Sequence, residues 1–304
     1  MELAVAMRMG TGMTTPTTSV PATTRTMQVT TTSTATATIR ITSTATAMGT
    51  ITATATHMTT IIEAGSAAQS GIGSALGAGA LVQLLWLASP ALPVGGFSYS
   101  EGLEPAIDDG RVRDESSAAE WLRSQFELTQ ARSELPLLAA AWRSWSCATP
   151  EGDARAASLN QWLLTTRETI ELRRQTEQMG RSMAQWLRQR HPGEPRVQAL
   201  AAMAPAPGWP LGFALAAVLA QAPLRETLLA FGFGWCENMV QAALKSASLG
   251  QSAGQRLLGA LAAALPEAVE QAMRCDEASR QNCSPLLAIL SARHETQYSR
   301  LFRS

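Results

Sequence analysis

The residues Gly250-Gln251-Ser252-Ala253-Gly254 satisfy G-x-S-x-G, the turn that lifts a nucleophilic serine toward a histidine base in acyl transfer. That chemistry needs a strand before Ser252 and a helix after it. Met239 to Leu249 reads instead as a helix, with Gly250 as its C-terminal stop and Ser252 as the cap of the next. A helix-turn-helix corner is therefore the favoured reading, and a Ser252 hydrolase is the minor alternative. Its base would have to be His191 or His294.

Carboxylates Glu101, Glu104, Asp108 and Asp109 crowd one short segment, expected to be helical from Ser98 to Asp109. Ser98-Tyr99-Ser100-Glu101 has the spacing of a capping box, and Glu101, Glu104 and Asp108 would share a face. Paired acids on one face can act as acid and base. Acids at a helix start more often answer the dipole. Cys147, Cys236, Cys275 and Cys283 show no C-x-x-C spacing, so buried or idle thiols in a reducing compartment are expected, with no metal site. No G-x-x-x-x-G-K-[ST] is present, so no nucleotide cofactor is expected.

Two other features point to binding. Lys245 is the single lysine in a chain whose remaining basic residues are arginine. Either its compact ammonium matters there or it survives by chance in an arginine-biased composition. The last eleven residues, His294-Glu-Thr-Gln-Tyr-Ser-Arg-Leu-Phe-Arg-Ser304, depart from the Ala/Leu texture before them. Tyr298, Arg300, Leu301, Phe302 and Arg303 are of types found at binding hot spots. A terminal segment carrying them is expected to fray alone and be ordered by a partner; the alternative docks Tyr298 and Phe302 on their own domain.

From Ala80 onward the pattern that must position these groups is helix after helix. A first helix ends at Pro90. Others are expected over 116–129, 134–146, 159–190, 211–220, 224–248, 252–265, 266–273 and 285–291. Arg167–Glu171, Arg173–Glu177 and Glu177–Arg181 would be i,i+4 pairs on the long one. Alternating β-branched runs are absent, and the fold class is all-α: a single compact multi-helix domain with a disordered N-terminal extension. The apolar stretch from Ala75 to Leu92 is interrupted by Gln83, glycines and prolines, so no membrane span is expected. With 24 basic and 24 acidic side chains, nucleic acid is not the expected partner.

The extension is a different polymer. Residues 1–57 hold 21 threonines, three arginines and one acid, with no aromatic residue and no leucine after Leu3. Nothing there can offset the entropy of ordering, so disorder is expected, although threonine also favours extended pairing. A His-Asp tract read one nucleotide out of frame becomes Thr, Met and Ile codons, and His-Gly-His becomes Thr-Ala-Thr. Residues 1–57 are therefore expected to be the frame shadow of a His-rich gene, with translation starting at Met58. The expected organisation is 1–57 low-complexity extension, 58–80 flexible lead-in, 81–293 helical domain and 294–304 partner-binding tail.

Leu87-Ala-Ser-Pro-Ala-Leu-Pro-Val-Gly-Gly-Phe-Ser-Tyr-Ser-Glu-Gly-Leu-Glu104 resembles the opening signature of the urease accessory protein UreF family. Arg167 through Gly180, Lys245 through Leu258, and His294 through Ser304 match further blocks in order. Where members commonly read Ala-Asp-Ser-Ala-Leu-Pro, this chain has Ala88-Ser89-Pro90-Ala91-Leu92-Pro93. The resemblance implies a cytoplasmic, non-enzymatic, dimeric helical protein. It would bind UreD/UreH, recruit the GTPase UreG and engage apo-urease for GTP-dependent nickel insertion. It further implies that the tail is ordered by UreD/UreH and that Arg300 serves UreG recruitment. Lys245 and Gln251 fall in a block tied to GTPase coupling, and Glu101 in the opening block is carried as a partner-binding position. Nickel would pass through, since imidazoles suit it and only His191 and His294 lie in the domain. The His-rich tail common in the nickel chaperone UreE, encoded just upstream, would supply the frame shadow.

Overall fold

Asp114 starts the longest uninterrupted helical run in the domain. Its carboxylate accepts from the Ser117 N–H at 2.9 Å, while the Ser117 hydroxyl accepts from the Asp114 N–H at 3.1 Å, a reciprocal cap. In the computed structural model, which describes residues 76–303 and the backbone of two earlier segments, this cap opens helix α3 (Glu115–Gln125). Two short helices precede it, α1 (Ala78–Ala88) and α2 (Leu103–Asp108). After α3 the chain continues without a break through a π-helical segment, Phe126–Glu134, into α4 (Leu135–Ser146).

Two separate helices were expected here, and Pro136 explains why one forms. A proline has no N–H, so in α register the Arg132 carbonyl would lose its partner. In the π register the Leu135 N–H reaches back to the Gln130 carbonyl, and the Arg132 carbonyl accepts instead from the Gln281 N–H at 3.1 Å.

The expected helix over 159–190 is two helices, α5 (Pro150–Thr166) and α6 (Ile170–Arg190). Arg167 turns extended and the Thr169 hydroxyl accepts from the Leu172 N–H at 3.2 Å, capping α6. Arg173–Glu177 and Arg181–Glu177 form the expected i,i+4 pairs at 2.9 and 3.4 Å. Arg167–Glu171 does not form, because the break sends Arg167 to Glu134 instead. The chain goes on through α7 (Pro195–Ala201), α8 (Trp209–Leu219), α9 (Leu224–Ser246), α10 (Gln251–Arg274) and α11 (Pro285–His294). Pro266 lies inside α10, so two expected helices are one.

Two expected helix ends also move. Ser98 sits in a 3-10 turn, and α2 starts only at Leu103 after Glu101 and Gly102 take positive φ. No capping box forms there. Helix α9 ends at Ser246, and the left-handed residue is Ser248 (φ 52°), whereas Gly250 is the N-cap of α10. The place expected for Ser252 belongs to Gly250.

The core is mainly leucine and alanine, with Trp145, Phe213, Phe231, Met183 and Met239 among its larger side chains, and it draws on α3 through α10. Trp145 is fully buried and its Nε1–H donates to the Leu211 carbonyl at 3.1 Å, tying α4 to α8. Gly180 lets α6 meet the proline-rich turn before α8. A methyl placed there would lie 1.9 Å from the Pro207 carbonyl oxygen. Asn160 fastens the same turn, donating to the carbonyls of Pro205 and Ala206 and accepting from the Gly208 N–H at 2.8 Å. Arg190 lies 4.4 Å from the Trp86 ring centre and 4.7 Å from that of Trp186, clamping α1 to the end of α6. No helix among the described residues is long and apolar enough to cross a membrane.

The chain divides into two units, residues 1–73 and 74–304. Within the first, strands β1 (Thr26–Thr31) and β2 (Ala37–Thr42) pair antiparallel with Thr26 opposite Thr42 and Thr31 opposite Ala37. This pairing follows the extended preference of threonine. The expectations for the rest of 1–57, for a start at Met58 and for most of the 58–80 lead-in lie outside the described residues.

Candidate functional site

Helix α2 runs only between the left-handed glycines Gly102 (φ 76°) and Gly110 (φ 68°), and the acids around it face different neighbours. Glu101, just before it, points into the domain: its carboxylate accepts from the Gln175 Nε2–H and the Trp235 Nε1–H, each at 2.8 Å. Burial pushes its carboxyl above the usual range, and the two donors and Arg167 only partly offset this. Glu101 lines a cavity of about 420 Å³. Its polar wall includes Thr129, Gln130 and Glu134 of the π-helical segment, with Arg167 paired to Glu134, and Gln175, Asn238 and Gln241 from α6 and α9. Leu92, Val94, Met179, Phe231 and Trp235 supply apolar wall, and Lys245, exposed near the end of α9, also lines it.

Glu104, one turn on, serves a second cluster. Fully buried His294 ends α11 with Nδ1 2.7 Å from Glu171 and Nε2 3.3 Å from Glu104. Burial opposes a charged ring, but the hydrogen bonds and charges of Glu171 and Glu104 outweigh it, and the imidazole pKa is raised. Glu104 also accepts from the N–H groups of Leu301 and Phe302 at 2.6 and 2.9 Å, so the tail returns to the domain that bears it. The Arg303 N–H donates to the Ser98 carbonyl at 2.8 Å, and Arg293 pairs with Asp109 at 3.2 Å. Asp108 accepts from the Gln297 side chain.

The carboxylates of the opening block therefore do not act as one face. Glu101 faces the cavity, Glu104 holds the tail, and Asp108 and Asp109 bind residues at and beyond the end of α11. Of the tail residues, Phe302 is buried at 7% exposure, whereas Tyr298 is fully exposed and Leu301 is 63% exposed. The expected frayed segment is thus docked, through its backbone at 301–303, through buried His294 and Phe302 and through the Gln297 side chain, while Tyr298 and Leu301 are displayed. Arg300 and Arg303 are exposed, with Arg300 3.7 Å from Glu171. Ile170, Leu286 and Ile289, on α6 and α11, are large exposed hydrophobics.

Glu101 and Lys245 meet at the cavity, and Arg300, Leu301 and Phe302 meet around Glu104 and Glu171. Gln251 belongs to neither group; it is exposed at the first position of α10. Ser252 is exposed in the same turn, following a helix and a turn rather than a strand. The last glycine of its motif has a packing reason: a methyl at Gly254 would lie 2.8 Å from Leu244. Among the four free thiols Cys236 is buried and pushed up to about 12 by that burial, whereas Cys147 and Cys283 are exposed.

Sequence reading missed Glu171, Glu134, Gln175 and Trp235 as partners of these groups. The i,i+4 spacing pairs Glu171 with Arg167, but the helix break at 167–169 turns Arg167 to Glu134 and leaves Glu171 to His294.

Comparison with known proteins places a match to the UreF family over residues 112–262. The chain is 58% identical to the urease accessory protein UreF of Paracidovorax citrulli over 79% of this chain and 96% of that one. It is 57% identical to the UreF of Methylibium petroleiphilum over 75% and 95%, and 47% identical to that of Cupriavidus necator over 74% and 97%.

Proposed function

Because this chain belongs to the UreF family of urease accessory proteins, we propose that it matures urease as a scaffold rather than as a catalyst. In this reading it pairs as a homodimer, binds UreD/UreH and recruits the GTPase UreG to apo-urease in the cytoplasm. Nickel is cargo for the GTP-dependent insertion and does not reside in the chain. The observation that carries the reading is the displayed tail. Tyr298, Leu301, Arg300 and Arg303 project from a segment anchored by Phe302 and Glu104, on a protein that also exposes Ile289. Aromatic and arginine side chains on a fixed backbone supply contact area at low entropic cost. Lys245 and Glu101, at the cavity, are the second partner-binding region in this proposal, and Gln251 the third.

Co-purification of Met58–Ser304 with its UreD/UreH, with and without the last ten residues, tests the reading by light scattering. The intact chain should give a two-plus-two complex and the truncated chain should not. Since truncation also removes buried Phe302, a Tyr298→Ala, Leu301→Asp chain that keeps the anchor should lose the complex as well. Equal binding by all three would overturn the tail as docking element. The hydrolase alternative predicts fluorophosphonate labelling that Ser252→Ala abolishes; an unlabelled protein is expected.

A further inference from the structure

His294 has no exposed surface, yet each of its ring nitrogens faces a carboxylate from a different helix, Glu171 of α6 and Glu104 of α2. A neutral imidazole has one N–H and can donate to only one of them, leaving a lone pair against the other oxygen. Only the imidazolium donates to both. Glu104 in turn spends both oxygens on the tail, taking the N–H of Leu301 on one and that of Phe302 on the other. We propose that His294, as an imidazolium, is the positioning residue of the tail, holding Glu104 in place so that Tyr298, Arg300 and Leu301 are displayed on a fixed backbone.

Other charged groups surround the cluster. Arg300, from the tail, stands 3.7 Å from Glu171 and remains a cation for it if the ring loses its proton. Glu295, just past α11, accepts from the Glu171 N–H and adds negative charge. Arg174 of α6 and Arg303 of the tail line a small pocket with Tyr99, Glu171 and Glu295. Asp109 is neutralised by Arg111 and Arg293, and Asp108 accepts from Gln297. Among the described residues Glu104 has His294 as its only ion-pair partner. Loss of the ring proton therefore leaves Glu104 as a buried carboxylate without a counter-charge, which is costly. Moving to water relieves that cost and releases the two tail amides.

The sign follows from the raised imidazole pKa. The folded, docked form binds the proton more tightly than the released form. Docking is then complete below the ordinary imidazole value and is lost as pH rises through the raised one.

This inference rests on the tail as docking element only for its consequence, and hydrogen exchange on the protein alone tests it separately. Amides of Leu301 and Phe302 are followed in the full chain from about pH 6 to about pH 9, corrected for intrinsic exchange. Their protection should fall by about tenfold per unit once pH passes the raised value, while the Trp145–Leu211 core stays protected. His294→Gln should give low tail protection that does not vary with pH. A flat wild-type profile, or an unchanged pH dependence in His294→Gln, would overturn the proposal. If that variant loses core protection, Glu104→Gln and the wild-type profile decide by the same criterion. A pH-dependent tail in a chain whose truncation leaves UreD/UreH binding intact would keep the lock and remove the docking reading.

Discussion

Glu101 is a carboxylate held in a left-handed backbone (φ 48°), with both oxygens facing donors and its pKa raised by burial. The folded state therefore binds its proton more tightly than the unfolded chain does. Stability should decline as pH rises from the ordinary glutamate value toward the raised one. Glu101→Gln removes that slope. Its amide can offer oxygen to Trp235 while Gln175 turns its own amide, so urea denaturation at neutral pH should place it within about 1 kcal/mol of wild type. A variant that keeps the slope would assign the titration to another group. The thiols give a second check at this scale. Brief iodoacetamide treatment of native protein should modify Cys147 and Cys283 and leave Cys236 untouched, as peptide mass spectrometry would show. Residue identity made Glu101 and the tail visible in the sequence, because charge and aromaticity are properties of single positions. The pairing of His294 with Glu171 and Glu104 was not visible, since its members lie on three helices and no local spacing links them.

Helices were legible wherever periodicity and caps agreed, and mis-bounded wherever tertiary contacts overrode them. The stretch between 129 and 134 read as a gap and Pro266 as a helix boundary, yet a π register and long-helix packing absorb them. The long arginine-rich stretch read as one helix because its i,i+4 charges were continuous; the Thr169 cap that divides it is a single hydroxyl. Packing predictions belong at this level. Gly180→Ala forces a methyl against the Pro207 carbonyl, which is backbone and cannot swing aside. The melting curve should shift down by an amount equivalent to about 1–3 kcal/mol. Arg190 joins the two tryptophans that seat α1, and its planar guanidinium matters as much as its charge. Arg190→Lys should cost about 0.5–1 kcal/mol and raise amide exchange in Ala78–Ala88 while α4 and α8 keep theirs. Uniform exchange across all helices would mean that α1 is not the element the clamp secures.

At the scale of the molecule the chain is two polymers of different composition, and the helical unit carries all the side-chain clusters described above. Removing residues 1–57 should therefore leave the helical melting transition within about 0.5 kcal/mol of the full chain, by scanning calorimetry. A larger loss would mean that the threonine-rich unit contributes to folding. The overall class was readable because an all-helical composition excludes the alternatives, whereas the return of the tail was not, because its acceptors sit some 200 residues earlier in sequence, at Ser98 and Glu104. That closure has a consequence for anyone recombining related chains. The first and last signature blocks form one physical patch, joined through Arg303 to Ser98 and through Leu301 and Phe302 to Glu104. A chimaera that imports a foreign C-terminal segment without its matching opening block would mismatch a socket to its plug, so the two ends must travel together as a single transferable cassette.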